Sequence, residues 1–535
     1  MKKTVILIMA LVMVFSMLTV MPAGAEETGE ALADRNQEAP AAEGTEEIFE
    51  EWNKGAPALE ALIAYVEDVT DESSPNYIPP VDRIAVFDMD GTLCGELYPT
   101  YLEYYLLARR IFCDPSYTPD EEMLEFGRIL RDHALDKSFP DHMDLLHANA
   151  AAKAYAGMTL TQFADFVTNQ LVRDVDGFEG MTYATSFYLP MIEVVEYLED
   201  NGFKVYVCSG SDRFLCRTFI EGMLDIPYER IIGMDVVVEA ANQGDTDGLD
   251  YMYTSEDDIV RTDMLLIKNL KMNKVRQIVQ EIGRQPVLSF GNSSGDMSMH
   301  NYVLYNNRYK SAAFMLIADD EERDYGNTEK AQGLREKWEA AGYVVISMKD
   351  DFRTIYGDDV VKTGTFHWLE EFSEDRSAGQ PTAENPYMQT AIDEAVEGIT
   401  NQDGGPFGAV VVRDGEIVGR GHNRVLANND PTCHGEVSAI RDACTNLGTY
   451  DLSGCELYTT GEPCPMCLYA CMWANIDLVY YGCTIADNAM IGFRDEKFDS
   501  LAGGREQLAD YLVCIDRNAC LDLFEMYAEM SHVIY

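Results

Sequence analysis

His434-Gly435-Glu436 and Pro463-Cys464-Pro465-Met466-Cys467 together carry one imidazole, one carboxylate and two thiols. Zinc takes neutral nitrogen and thiolate sulfur, and a catalytic site keeps its fourth position for water. The metal makes that water acidic enough to be hydroxide near neutral pH. In this pattern His434, Cys464 and Cys467 are the ligands, and Glu436 carries the proton. A structural zinc knuckle would usually show four protein ligands, and a lone Cys-x-x-Cys would be a weak signal. Here a histidine, a glutamate two residues on and a proline before the first cysteine coincide with it.

A second group lies far upstream. The apolar run Val81–Phe87 leads into Asp88-Met89-Asp90-Gly91-Thr92-Leu93. Two carboxylates two apart at a strand end suit phosphoryl transfer. Asp88 can attack phosphorus to give an aspartyl-phosphate, and Asp90 can protonate the leaving alcohol and then deprotonate water. Ser209 follows the strand-like run Phe203–Cys208, Lys274 (or Lys271) sits on a helical pattern, and Pro286–Phe290 leads to Gly291-Asn292-Ser293-Ser294-Gly295-Asp296. Mg²⁺ prefers oxygen ligands; Asp88, the Asp90 carbonyl, Asp296 and Asn292 would supply them. Alone, Asp-x-Asp-Gly is often a calcium-type loop or a turn.

The His-x-Glu and Pro-Cys-x-x-Cys pair is the signature of zinc deaminases. From about Pro386 to Tyr535 the chain resembles bacterial guanine deaminase, of the cytidine deaminase-like superfamily. The resemblance rests on Gly404–Val410, Gly421-His422-Asn423, Asn429–Val437, Leu457–Cys467 and Gly492-Phe493-Arg494-Asp495. It implies that Asn423 hydrogen-bonds the purine and Phe407 stacks on it. It also implies that Asp495 and Tyr535 read the guanine edge from the partner subunit of a domain-swapped homodimer. Arg494, Gly461, Cys433, Gly435 and Asn475 depart from the family pattern, which leaves the choice of base open, with cytosine and adenine as alternatives. The Asp88, Ser209, Lys274 and Asp296 series resembles the phosphatase branch of the haloacid dehalogenase superfamily, and a helix-rich stretch from Leu97 to about Pro190 resembles its helical cap. Arg109 and Arg110 of that stretch read as core and surface before substrate contacts.

The elements that must position these groups give an α/β chain. A Rossmann-like haloacid dehalogenase domain with helical cap over 81–372 is followed by a linker, 373–385, and a three-layer α/β/α cytidine deaminase-like domain over 386–535. Met1-Lys2-Lys3, an apolar run and Ala23-Gly24-Ala25 read as a secretory signal peptide cleaved after Ala25, with no stable membrane anchor. Residues 26–80 read as an acidic linker and a helix over Ile48–Val69. With 40 Lys+Arg against 92 Asp+Glu the net charge is 40 − 92 = −52, which disfavours nucleic acid and anionic membrane as partners. From Pro381 to Tyr535 there are 8 basic and 24 acidic residues, net −16, against a tRNA-binding surface. The expectation is a secreted bifunctional hydrolase. Its zinc half would turn guanine into xanthine and ammonia, and its Mg²⁺ half would cleave a phosphate monoester. The alternative keeps a deaminase for another base and makes the N-terminal half a non-catalytic binding or dimerisation module.

Overall fold

In this computed structural model the described residues are 48–96, 99–114, 116–372, 383–493, 512–528 and 530. The expected signal peptide and most of the acidic linker lie outside them. The chain divides into two compact units: one contains Pro119–Phe372 with the residues up to Ile111, the other Phe112–Thr118 with Ser373–Tyr535.

In the first unit, α1 spans Pro57–Thr70, starting later than the apolar pattern from Ile48. Proline at the first helical position supplies a fixed φ and has no N–H to leave unpaired. Trp52, ahead of it, instead bridges to Phe352 and donates from Nε1 to the Pro190 carbonyl at 2.9 Å. Strand β1 (Ile84–Phe87) is buried along its whole length. The helices α2 (Leu102–Phe112), α3 (Glu121–His133), α4 (Met143–Ala154) and α5 (Leu160–Leu171) follow. Asp120 caps α3 and a Thr159/Gln162 capping box starts α5. This helical run stops at Leu171, short of Pro190, and is followed by the short strand β2 (Phe178–Glu179), which pairs antiparallel with β9 (Val361–Lys362). Pro190 instead opens α6 (Leu189–Asp200), which packs on β3 (Lys204–Asp212). Arg109 and Arg110 are both buried, Arg109 on Gln170 and Glu371 and Arg110 on the Ala154 carbonyl.

The remaining elements are α7 (Arg213–Glu221), β4 (Ile231–Ala240), β5 (Ile259–Ile267), α8 (Met272–Gln277), β6 (Leu288–Gly291), α9 (Met297–Leu304), β7 (Ala312–Ile317), α10 (Thr328–Ala340) and β8 (Val344–Ser347). The sheet runs β5-β4-β3-β1-β6-β7-β8. Only the β4–β5 pairing is antiparallel. Parallel strands are buried on both faces and read as continuous apolar runs, as Ile84–Phe87 and Ala312–Ile317 do. The chain leaves β1 toward β3 on one side and returns to β6 on the other. Ligands bind at such switch points, beyond the carboxyl ends of the strands.

In the second unit, α11 (Pro386–Thr400) precedes β10 (Gly408–Arg413), β11 (Glu416–His422), α12 (Val425–Asn428) and α13 (Gly435–Leu447). Then come β12 (Cys455–Gly461), α14 (Pro465–Trp473), β13 (Leu478–Cys483), α15 (Ile485–Met490), β14 (Leu512–Cys514) and α16 (Arg517–Ala528). The sheet order is β11-β10-β12-β13-β14, antiparallel around β10 and parallel from β12 onward. Side chains alternate across a strand. Ala409 and Val411 therefore pack with Ala439, Ala443 and Cys471 of α13 and α14, while Val410 and Val412 face Tyr387 of α11. Helices thus cover both faces.

Candidate active site

In the second unit the two ligand-bearing segments each enter a helix at the same kind of place. His434 does not ride on α13 but stands just before it, extended at φ −71 and ψ 161, as its N-cap. Cys464 is the N-cap of α14, with Pro465 at its first position, and Cys467 lies three residues on, on the same helix face. A helix N-terminus carries partial positive charge, which favours the thiolate. The His434 Nδ1 is 3.7 Å from Cys464 Sγ and 3.5 Å from Cys467 Sγ. Tetrahedral zinc with ordinary Zn–N and Zn–S lengths would separate such atoms by about 3.6 Å. Among the described residues this is the one trio of ligating atoms gathered within 4.8 Å of one another, and its donor set fits zinc. A hydrogen bond from Cys467, then one from His434, hold Cys464 down at about 4, while burial and the neighbouring Cys464 push Cys467 up.

Glu436 lies in the first turn of α13, 5% exposed. Burial, then Cys464, lift its carboxyl to about 7, against His434. It is outside the trio, as a proton carrier would be. The Asn423 N–H donates to the Phe407 carbonyl at 2.7 Å, and Asn423 Oδ1 accepts from Val425 N at 3.1 Å. The Phe407 ring meets Phe493 and Phe524 edge-on at 4.8 and 5.5 Å.

Two of the departures from the family pattern border this residue. A Cβ on Gly435 would come within 2.7 Å of the Phe407 carbonyl, and one on Gly461 within 3.0 Å of its ring. Asn475 turns the chain after α14 at φ 58 and bonds Asp451. Cys433 is buried, bonded to Asp430. Thr460, which the motifs do not single out, holds the Phe407 turn. Its Oγ1 accepts from Gly408 N at 3.1 Å and donates to the Pro406 carbonyl at 3.0 Å. Arg494, Asp495 and Tyr535 lie outside the described residues.

In the first unit the acids collect where β1, β3 and β6 end. Lys274, buried on α8, donates to Asp88 Oδ1 at 2.5 Å and Asp296 Oδ1 at 2.7 Å. Lys271, the other candidate, is exposed at φ 54. Asp90 Oδ2 accepts from Ser209 at 3.3 Å and Ser211 at 2.8 Å, and Asp90 Oδ1 is buried with no hydrogen-bond partner among the described residues. Asp296 Oδ2 accepts from the N–H groups of Asn292 and Ser293. The Asn292 amide fills the space beside Gly91 and bonds Glu96. Burial first, then Asp296, raise Asp88 to about 7 against Lys274, and burial raises Asp90 to about 6 and Glu96 to about 8. Burial disfavours the Lys274 ammonium, but Asp296 and Asp88 outweigh it and keep the lysine charged.

Ser211 and Glu96 were not among the expected site residues. Ser211 was within reach of the sequence, because residues two apart on a strand share a face and Ser209 was already chosen. Asp88, Asp90, Asn292 and Asp296 offer oxygen donors only, a set compatible with a hard cation.

Residues 381–483 match the family of the cytidine and deoxycytidylate deaminase zinc-binding region. The guanine deaminase of Bacillus subtilis (strain 168) is 50% identical over 109 residues, covering 20% of this chain and 70% of that protein. A tRNA-specific adenosine deaminase of Aquifex aeolicus (strain VF5) is 49% identical over 76 residues, 14% of this chain and half of that one. The solved structure of guanine deaminase from Bacillus subtilis is 44% identical, covering 23% of this chain and 81% of that chain, with a TM-score of 0.22. Through its C-terminal unit, with His434, Cys464 and Cys467 gathered at two helix starts, the chain belongs to the cytidine and deoxycytidylate deaminase family of zinc-binding hydrolases.

Proposed function

We propose that the C-terminal unit hydrolyses guanine to xanthine and ammonia. The observation that carries this is the zinc-sized triangle of His434, Cys464 and Cys467 beside a buried Glu436. Bound zinc would supply a Lewis acid that makes water nucleophilic near neutral pH. Glu436 takes one proton from the attacking water and delivers it to a ring nitrogen of the purine, then takes the second from the hydroxyl now on carbon and delivers it to the amine that leaves as ammonia. Phe407 offers its ring face to the base, and Asn423, anchored through its backbone, offers its side-chain amide. Asp495 and Tyr535 complete the guanine edge in this reading.

Guanine is preferred over a tRNA substrate because the region from Pro381 carries net charge −16, which repels a polyanion. Adenine is the second reading, since Gly461, which departs from the family pattern, lies against the Phe407 ring. The test is ammonia and xanthine release from guanine by the purified chain, with zinc measured on the same sample. Xanthine at one zinc per chain, blocked by a chelator, is the expected result. Zinc-loaded protein without turnover moves the assignment to another base.

We further propose that the N-terminal unit is a Mg²⁺-dependent phosphomonoesterase of the haloacid dehalogenase type. Lys274 between Asp88 and Asp296 supports this. A bound Mg²⁺ would neutralise phosphate charge. Asp88 attacks phosphorus, Asp90 protonates the departing alkoxide and then deprotonates the water that cleaves the aspartyl-phosphate, and Ser209 and Lys274 hold phosphate oxygens.

The reading of a homodimer is supported by the apolar residues Tyr469, Met472 and Trp473, which α14 exposes at 49, 37 and 86%. Export, with cleavage after Ala25, completes the proposal.

A further inference from the structure

His422 ends β11, and its ring lies between carboxylates from two different segments. Nε2 is 2.9 Å from Asp403 Oδ2, and Nδ1 is 3.6 Å from Glu394 Oε2 of α11. The ring presses on α11 so closely that a Cβ on Gly398 would fall 2.7 Å from its Cδ2. The Asp403 backbone carbonyl accepts from Leu426 N and Ala427 N, both at 3.0 Å, at α12. One ring therefore ties together α11, the loop into Phe407, the end of β11 and α12. The other charges of the cluster stand farther off: Arg420 Nη1 is 3.7 Å from Glu394 Oε1, and Arg424 Nη2 is 3.9 Å from Asp403 Oδ2. The residue after His422 is Asn423, whose N–H holds the Phe407 carbonyl.

A neutral imidazole has one N–H and one lone pair, whereas the imidazolium donates from both nitrogens. With a carboxylate at each nitrogen, the neutral ring must turn a lone pair toward one of them. The ion-pair contact with Glu394, then the hydrogen bond to Asp403, raise the pKa of His422 above its ordinary 6.5, against burial.

We propose that His422 is a positioning residue: as an imidazolium bridging Glu394 and Asp403 it fixes Asn423 and Phe407 for the base, so that losing its proton weakens substrate binding and spares the hydrolytic step. This rests on the guanine deaminase reading. It assigns to a residue outside the zinc site, and outside the base-contacting pair, the control of KM by pH.

The test uses the full zinc-loaded chain. KM and kcat for guanine are measured from pH 6 to 8.5 for the wild type, His422→Gln and Asp403→Asn, with zinc content on each. Losing one charged contact is expected to raise the wild-type KM about tenfold across the titration, while the pH profile of kcat is the same in the wild type and in His422→Gln. His422→Gln should show the high KM at every pH and keep its zinc. Asp403→Asn leaves one carboxylate, which a neutral ring can satisfy, so its KM should no longer depend on pH.

A wild-type KM independent of pH, or a kcat loss accompanied by zinc loss in His422→Gln, overturns the proposal. If the wild type holds zinc but does not turn over guanine, the substrate reading has failed and the clamp is judged by NMR alone. The Asn423 side-chain amide must then shift together with the His422 ring titration, and a stationary amide overturns the clamp.

Discussion

In the proposed deaminase site Glu436 and the His434, Cys464 and Cys467 trio have separate roles, and single substitutions separate them. Glu436→Ala should retain one zinc per chain, because its carboxylate is not among the gathered ligand atoms. Deamination should fall by about 10²–10⁴-fold, the usual worth of a positioned acid–base group. Ammonia release and metal analysis on one preparation check both halves, and lost zinc would overturn the role given to Glu436. The trio was legible in the sequence because histidine and paired cysteines at such spacings have few other uses. Thr460, Ser211 and Glu96 were not, since serine, threonine and glutamate are common and gain meaning only from neighbours far away in the chain. Thr460 meets residues 52 and 54 positions earlier.

At the scale of elements, one hydroxyl helps hold the Phe407 turn. Thr460→Val keeps the shape of a fully buried side chain but strands the Gly408 N–H. The loss is about 1–3 kcal/mol, read as a lower denaturant midpoint with zinc content unchanged. The His422 clamp joins elements too, and its sign can be stated. Its folded pKa lies above the unfolded 6.5, so its stabilisation is complete below that pH and fades as pH rises through the raised value. Urea unfolding at pH 6 and pH 8.5 should show a larger loss in the wild type than in His422→Gln.

Helices and strands were mostly visible as patterns; their ends were not. α1 waits for Pro57 because the chain before it is engaged with Phe352 and Pro190. β3 runs through Ser209 to Asp212, past the expected strand end, because its pairing with β4 resumes at Met234.

At the scale of the whole molecule, the two groups of reactive residues belong to separate compact units, each with its own sheet. Asp88→Asn should therefore abolish phosphate release and leave ammonia release untouched; loss of both would contradict independent sites. The strand order β5-β4-β3-β1-β6-β7-β8 could not be read along the chain, because β1 pairs with strands roughly 120 and 200 residues away, and no local pattern records that pairing. Among the described residues no helix is long and apolar enough to cross a membrane.

The helix starts in the zinc-binding unit have one more consequence. His434 and Cys464 occupy N-cap positions without a side-chain cap hydrogen bond. The first amides of a helix have no carbonyl partner within it, and here both capping residues would be committed to a metal. Chelation would remove that metal tether from both turns, and they should fray together. Metal occupancy would then be written in deuterium uptake: Glu436, Val437, Met466 and Cys467 should exchange faster in chelator, while the amides of β12 between them keep their protection.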